Sequence, residues 1–222
     1  MSDILNILPN CDILTKEQAY RLNTAGLAVT HTSNEVIFKQ NKPVSHLMFL
    51  KEGLVKTFRE IKQDKQIIIK IFKPGEYINL VSLFGDNLNH SSATSLAESN
   101  LIYIELPAIR EIIAENGKYA SHFIKYLISE ELDLTQKIVN QALKQVHGRI
   151  AEILIFFAKD IYQSENFVLP FSRQELADIA ISTKESVSRT LTEFKNDKII
   201  DINDKNIVIR SMELLEIINK VG

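Results

Sequence analysis

The sequence has one cysteine, Cys11, and no tryptophan in its 222 residues. A single thiol excludes an intrachain disulfide framework, a zinc site built from several cysteines, and an iron–sulfur cluster held by four thiolates of this chain. An isolated thiol is more often an ordinary buried or surface side chain than a redox centre. We therefore expect no redox role for Cys11 and no metal site.

Long apolar runs are also missing. The apolar runs, such as those at residues 67–69 and 153–158, are far shorter than the roughly 20 residues that a membrane-spanning helix needs. The start of the chain lacks the basic and then apolar pattern of a signal peptide. The formal net charge of −2 argues against a broadly basic nucleic-acid coat but leaves room for a local basic face. We expect a cytoplasmic protein of one large domain or two small ones, with no membrane contact.

Residues 34–106 have the pattern of a small antiparallel β domain. Segments rich in β-branched and aromatic residues alternate with turn formers such as the Lys-Pro-Gly at 73–75, which is typical of a sandwich or barrel. The predicted strands cover residues 35–38, 46–50, 54–58, 66–72 and 101–104. A short helix should precede them, with Thr15 as its N-cap and Gln18 completing a capping box.

A long helix is predicted after this domain. Pro107 suits the first turn of a helix over residues 108–114, and residues 119–146 then run without proline or glycine. Four apolar residues of this run follow the a/d spacing of a coiled coil: Ile124, Leu127, Leu134 and Ile138. Two interpretations stay open, a helix–helix dimer seam and an ordinary amphipathic helix packed on its own sheet.

The long helix is expected to break at His147, Gly148 and Arg149, before another helix over residues 150–162. This break places a domain boundary between residues 146 and 147. The predicted domains are therefore 1–146, with the long helix at about 118–146, and 147–222.

The stretch 172–194 predicts two short helices joined by a tight turn. Ser172 with Glu175, and Ser182 with Glu185, each match a capping box, in which two side chains satisfy backbone N–H groups at a helix start. Apolar residues fall on the inward faces of both helices: Leu176, Ile179, Val187, Leu191 and Phe194. This is the spacing of a helix-turn-helix, whose second helix enters the DNA major groove.

The second helix carries the candidate base contacts. Glu185 and Arg189 lie one turn apart and share a face; arginine can bind guanine bidentately, and glutamate can accept a hydrogen bond from cytosine. The other candidate DNA contacts on the two helices are Ser172, Arg173, Gln174, Thr183, Lys184, Ser186 and Ser188, of which the hydroxyl and amide groups near the helix starts suit phosphates. A hairpin over residues 199–209 would form a wing with Lys205 at its tip.

The acidity of this region leaves a second interpretation open. Residues 147–222 hold ten Lys or Arg and twelve Asp or Glu, which is poor for nonspecific DNA affinity, although a dimer with few contacts per half-site could still bind. The alternative is a ligand-binding signalling module whose two-helix motif contacts protein. The sequence contains no nucleotide-binding loop, zinc-binding helix or nucleophile elbow of the common enzyme classes, so we expect no enzyme.

Three segments make a family comparison specific: Arg-Gln-Glu-Leu-Ala-Asp-Ile at 173–179, Glu-Ser-Val-Ser-Arg at 185–189, and Asp-Lys-Ile-Ile at 197–200. They resemble the winged helix of the Crp/Fnr family of bacterial transcription regulators. Gly53 and the segment 72–78 are similar to that family's N-terminal β-roll, so the resemblance spans about residues 15–210. It implies an α+β protein with an antiparallel β-roll, a long dimerisation helix and a C-terminal winged helix-turn-helix.

The resemblance also implies partners and roles. A homodimer would read a palindromic operator in double-stranded DNA, with Glu185 and Arg189 as base readers and Lys184 adjusting the sequence preference. RNA polymerase would be a further partner. Ile181 departs from the family pattern, which often has glycine in this turn, and so puts the backbone of the turn in doubt.

The same resemblance gives a tentative effector pocket. The cyclic-nucleotide-binding branch binds ribose with a Gly-Glu pair and the cyclic phosphate with an Arg-Ser pair; here those places hold Asn79-Leu80 and His90-Ser91. Leu134 and Thr135 stand where helix hydroxyls would contact adenine. Leucine cannot accept a ribose hydrogen bond, and a neutral histidine replaces a bidentate arginine poorly. We therefore expect an effector other than cAMP, or none.

Haem stays open as a cofactor, because an axial ligand could come from a histidine. No spacing singles out one of the five: His31, His46, His90, His122 and His147. An unknown small-molecule effector in the β-roll also stays open.

Overall fold

The computed structural model describes residues 4–62 and 65–222, so residues 1–3 and 63–64 of the predicted N-terminal domain lie outside the described part. The chain is an α+β protein of two compact units that divide after Leu132. The predicted domain boundary between residues 146 and 147 stays a prediction.

The first unit begins with helical turns and continues as two antiparallel sheets. Helix α1 (Lys16–Thr24) has the predicted capping box of Thr15 and Gln18, which is confirmed. The strands are β1 (Gly26–His31), β2 (Val36–Phe38), β3 (His46–Glu52), β4 (Val55–Lys62), β5 (Lys65–Phe72), β6 (Tyr77–Ile78), β7 (Ser92–Ser95) and β8 (Ser99–Glu105). One sheet has the order β1-β8-β3-β6 and the other β2-β7-β4-β5. The predicted antiparallel β domain is therefore confirmed.

The core of this unit follows the two-residue period of its strands. Leu47 and Phe49 on β3 belong to one buried cluster, whereas Met48 and Leu50 on the same strand belong to another. Gly53 turns the chain from β3 to β4 with a φ of 95°, and an added Cβ would lie 2.5 Å from the carbonyl oxygen of Glu98. Only glycine combines this φ with such a close approach of backbone.

Helix α2 (Leu106–Glu115) has Pro107 in its first turn, as predicted, and α3 (Gly117–Leu143) is the long helix. The first half of α3 is tied to the sheets. The Lys70 ammonium lies 2.6 Å from the Glu130 carboxylate and 3.3 Å from that of Glu76. The backbone N–H of Tyr77 donates to the hydroxyl of Tyr126 over 3.0 Å.

The predicted break of the long helix is present, but its predicted position at His147, Gly148 and Arg149 is wrong. Helix α3 ends at Leu143, and α4 (Val146–Phe156) already contains these three residues in its first turn. Arg149 donates from Nη1 to the carbonyl oxygens of Lys144 (2.8 Å) and Gln141 (3.3 Å), so it satisfies the free end of α3. Gly148 permits close packing, because a Cβ there would meet the backbone of Gly222.

The remainder of the second unit is helical with a small sheet. A π-helical turn (Phe157–Ile161) follows α4. The other elements are β9 (Asn166–Val168), α5 (Arg173–Ala180), α6 (Lys184–Asn196), β10 (Ile200–Asn203), β11 (Asn206–Ile209) and α7 (Met212–Val221). The sheet order is β10-β11-β9, all antiparallel. Within the described residues, no helix combines the length and apolar character that crossing a membrane requires.

Candidate nucleic-acid interface

Helix α5 begins with the predicted capping box. Ser172 Oγ accepts from the N–H of Glu175 over 3.2 Å, and the Glu175 carboxylate accepts from the N–H of Ser172 over 2.8 Å. The helix ends at Ile181, whose left-handed backbone (φ 46°, ψ 58°) lets Ser182 N–H reach the carbonyl of Ala177 over 2.9 Å. The tight turn therefore forms although an isoleucine occupies the left-handed position.

The second predicted capping box is wrong. Thr183, not Ser182, is the N-cap of α6, because its Oγ1 accepts from the N–H of Ser186 over 3.2 Å. The true cap lies one residue later in the sequence and has Ser186, not Glu185, at the third helical position. The Glu185 side chain is therefore not used as a cap and remains exposed in the first turn.

Helix α6 has a buried face and a polar exposed face. Val187, Thr190, Leu191 and Phe194 are buried, as the sequence pattern predicts for three of them. Glu185 and Arg189 are exposed, and neither forms a salt bridge within the described part of the chain. Both side chains are free to meet a ligand without first losing an internal partner.

The wing lies next to the start of α5. Strands β10 and β11 form the predicted hairpin, joined by Asp204 and Lys205. Lys205 is exposed in this turn, where the sequence placed it. Arg173 donates from Nη2 to the carbonyl oxygen of Asp204 over 3.1 Å. The hairpin is extended by β9, a third strand that the sequence analysis missed.

The other predicted contacts lie at the two helix starts. Lys184 is exposed and Ser188 is half-buried on α6. Gln174 is exposed and donates from Nε2 to the carboxylate of Asp178 over 3.0 Å. The structure thus brings the predicted DNA-binding residues to the start of α5, the first two turns of α6 and the wing turn.

Thr192 was missed by the sequence analysis. It lies one turn beyond Ser188 on the exposed side of α6 and donates its hydroxyl proton to the Ser188 carbonyl over 2.9 Å. The spacing from Glu185 through Arg189 to Thr192 is the signal that could have found it, since residues three and four apart share a helix face.

The four predicted pocket residues of the first unit differ in their burial and in their partners. Asn79 has a left-handed backbone and donates from Nδ2 to Oδ1 of the buried Asn89 over 2.7 Å. Leu80 is buried. His90 is exposed and pairs with Asp86 at 3.0 Å, and Ser91 is half-buried. None of the predicted pocket residues lines the cavity of about 420 Å³ beside His147 or that of about 210 Å³ beside Lys51.

The long helix exposes many apolar side chains. Leu127 is partly buried against the first unit's core, so it differs from the other three predicted seam residues. The exposed apolar residues of α3 are Ile124, Ile128, Leu132, Leu134, Ile138, Val139 and Leu143. At 100° per residue they fall on one half of the helix. Thr135, the second helix residue of the predicted pocket, is also exposed.

Among the described residues, no three His, Cys, Asp or Glu side chains are grouped so that they could hold a metal ion. His31 is engaged with Glu35 at 2.8 Å and Tyr103 at 2.9 Å, and His147 with Glu193 at 2.6 Å. Haem ligation by a histidine stays an untested alternative.

Comparisons with known proteins match both halves of the chain. The model of the cyclic nucleotide-binding domain matches residues 28–116, and that of the Crp-like helix-turn-helix domain matches residues 148–218. A CRP-like cAMP-activated global transcriptional regulator of Mycobacterium tuberculosis (strain CDC 1551 / Oshkosh) is 22% identical over 183 residues, which cover 81% of this chain and 82% of that protein.

Solved structures agree in fold. FixK2 from Bradyrhizobium japonicum superposes with a TM-score of 0.77 at 16% identity, over 87% of this chain and 97% of that one. The c-di-GMP responsive global regulator CLP of Xanthomonas campestris superposes with a TM-score of 0.74 at 19% identity, over 89% and 100%.

Proposed function

Because the chain belongs to the Crp/Fnr family of DNA-binding transcription regulators, we propose that it acts as a homodimer on a palindromic operator and answers to a signal other than cAMP. The observation that carries the DNA-reading part is the exposed pair on α6. Glu185 and Arg189 stand one turn apart on a helix whose other face is buried, and neither has an ion pair among the described residues.

Base reading is assigned to this pair. The Arg189 guanidinium would bind O6 and N7 of a guanine in the major groove, and the Glu185 carboxylate would accept from N4 of a cytosine. Lys184 and Ser188 flank the pair and would adjust the sequence preference. Each half-site would then contain at least one G·C base pair that the protein no longer recognises when Arg189 is replaced.

Phosphate contacts would position the helix. The starts of α5 and α6 carry backbone N–H groups and the polar side chains of Ser172, Gln174, Thr183 and Ser186, and such groups suit anionic oxygens. Lys205 would meet a phosphate from the wing. Since the residues 147–222 carry a net charge of −2, affinity depends on these few local contacts and falls steeply with salt.

The dimer would form through α3. Seven large apolar residues are exposed on one half of this helix, which is more than a solitary surface helix normally presents to water. A second copy of the same helix is the partner that buries such a stripe symmetrically. The two recognition helices would then meet successive major grooves, about 34–36 Å apart.

The proposal about the effector rests on the residues at the positions that contact the nucleotide in the cyclic-nucleotide-binding branch of the family. His90 points to solvent and pairs with Asp86, and buried Leu80 has no acceptor for a ribose hydroxyl. The M. tuberculosis relative is described as cAMP-activated and the Xanthomonas structure as c-di-GMP responsive, so the ligand differs between relatives of this fold. We therefore infer a degenerate cyclic-nucleotide pocket.

Selection against fragmented genomic DNA tests the proposal. The wild-type protein should enrich a palindrome with half-sites about one helical turn apart. The Arg189→Ala variant should enrich none, whereas Lys220→Ala, which removes the same charge from α7, should enrich the wild-type sequence. Addition of cAMP should leave the enrichment unchanged.

Two results would contradict the proposal. Equal enrichment by Arg189→Ala and wild type would remove the assigned base contact. A palindrome enriched only with cAMP present would overturn the degenerate pocket. Failure to enrich any palindrome, together with a defined protein partner of the second unit, would favour the signalling module that acts through protein contacts.

A further inference from the structure

Four polar atoms of the first unit are buried without a hydrogen-bond partner in the part of the chain that the structure describes. One is Nε of Arg21, and the other three are the hydroxyl oxygens of Tyr77 and Tyr119 and the Nε2 atom of His122. Tyr77 is 1% and Tyr119 0% exposed. Leaving a buried polar group unpaired destabilises the folded state, so three such groups in one cluster require an explanation.

These three groups belong to one aromatic cluster. The His122 ring centroid lies 6.1 Å from that of Tyr77 and 6.4 Å from that of Tyr119. His122 Nδ1 lies 2.9 Å from the amide nitrogen of Asn10, which can only donate, so the ring proton resides on Nε2. Burial lowers the pKa of His122 and keeps the ring neutral. The cluster therefore offers three hydrogen-bond donors without an acceptor.

Cys11 directly follows Asn10 and starts the 3-10 helix Cys11–Ile13. Its side chain is partly buried and contacts the same core cluster as Tyr77 and Tyr119. Burial chiefly raises the pKa of both phenols, and the charge of Cys11 acts in the same direction. The Asn10 side chain next to Cys11 contacts His122 of the same aromatic cluster. Sulfur itself is a weak acceptor for hydroxyl donors. An oxygen bound to that sulfur would be a strong one.

We propose that Cys11 is an oxidation site at which a peroxide forms a sulfenic acid that Tyr77 and Tyr119 stabilise. The sulfur attacks one peroxide oxygen, so the S–O bond forms and the O–O bond breaks. Sulfur loses two electrons, the peroxide is reduced, and the thiol proton leaves in water. The new oxygen accepts hydrogen bonds from the two phenols, and burial slows its further oxidation. This site does not depend on the proposed DNA reading.

The test treats the whole chain with hydrogen peroxide in the presence of dimedone, which traps sulfenic acid, and follows intact mass. Wild type should gain one adduct and Cys11→Ser none. Tyr77→Phe and Tyr119→Phe should each lower the adduct yield roughly fivefold, the effect of one lost hydrogen bond. Tyr20→Phe, which alters an exposed tyrosine, should leave the yield unchanged.

Thermal melting of each variant accompanies the trapping. The Tyr→Phe variants remove an unpaired hydroxyl and should fold as the wild type does, so a reduced yield in a folded variant supports the proposal. No adduct in the wild type would overturn it. Equal adduct yields in Tyr77→Phe, Tyr119→Phe and Tyr20→Phe would also overturn it. The two phenols would then donate to a buried water and not to the oxidised sulfur. Neither result depends on an operator.

Discussion

The guanidinium of Arg173, in the first turn of α5, donates a hydrogen bond to the carbonyl oxygen of Asp204 in the wing turn, 3.1 Å away. Burial lowers the pKa of Arg173, and the charge of Asp204 acts in the opposite direction. An arginine remains fully charged at neutral pH under such shifts. Its contact fixes the wing turn, and with it Lys205, to the helix that precedes the recognition helix.

The Arg173→Met variant keeps most of the side-chain stem and loses this bond. We expect affinity for the selected operator and for scrambled DNA to fall by a similar factor of several-fold, because a mispositioned wing affects phosphate contacts more than base contacts. Fluorescence anisotropy on both DNAs measures this. Arg210→Met, which breaks the exposed pair with Asp201, is the control. Loss confined to the operator would show that Arg173 reads bases.

The salt dependence of DNA affinity tests the proposed contact between Lys205 in the wing and a phosphate. Lys205→Ala should reduce the slope of log affinity against log salt by about 1 per protomer, since one phosphate contact is lost. Anisotropy titrations over a range of salt concentrations provide the slope. Lys220→Ala serves as the control of equal charge change, and an equal slope in both variants would remove Lys205 from the interface.

Ile181 holds a strained backbone in the turn between α5 and α6. Its φ of 46° is costly for a β-branched residue, and its side chain is 51% exposed, so little burial compensates. We expect Ile181→Gly to raise the free energy of unfolding by about 1 kcal/mol, after the larger chain entropy of glycine is subtracted. Urea denaturation measures this change.

Ile217→Gly is the matched control for that measurement. Ile217 is 47% exposed and lies inside α7, where glycine should lower the free energy of unfolding by about 0.5–1 kcal/mol. A destabilised Ile181→Gly variant would mean that contacts of the isoleucine side chain stabilise the turn by more than the backbone strain costs.

The long helix makes a prediction about assembly. Ile138→Glu places a charge in the centre of the exposed apolar half of α3 and should shift a dimer to monomers, measured by sedimentation. Asp133→Lys changes a charge away from that half and should leave the sedimentation coefficient unchanged. A wild-type chain that sediments as a monomer at micromolar concentration would contradict the dimer outright.

Local signals in the sequence predicted local structure well. The capping boxes at Thr15 and Ser172 are confirmed, since each depends on two residues three apart. The same rule failed at Ser182, because Thr183 next to it is an equally good cap and the preceding left-handed turn decides between them. The left-handed conformation of Ile181 itself carries no side-chain signature.

Tertiary context explains what was missed. Strand β7, Ser92–Ser95, consists of small residues, three of them polar, and is buried because it lies between β2 and β4. The end of α3 depends on Arg149, whose guanidinium reaches back to carbonyls five and eight residues earlier. The recognition-helix residues follow from spacing and resemblance, whereas the orphaned hydroxyls of Tyr77 and Tyr119 depend on contacts between distant segments and could not be predicted.

The hydrogen bond from the Tyr77 amide to the Tyr126 hydroxyl makes this amide a probe of how α3 is attached to the sheets. Tyr77 is fully buried, and its amide proton reaches solvent only after that bond opens. Hydrogen exchange at this one amide therefore records how often the first half of α3 leaves the sheets. The Lys70–Glu130 ion pair must open in the same event. The exchange rate therefore also measures how strongly β5 and α3 are coupled.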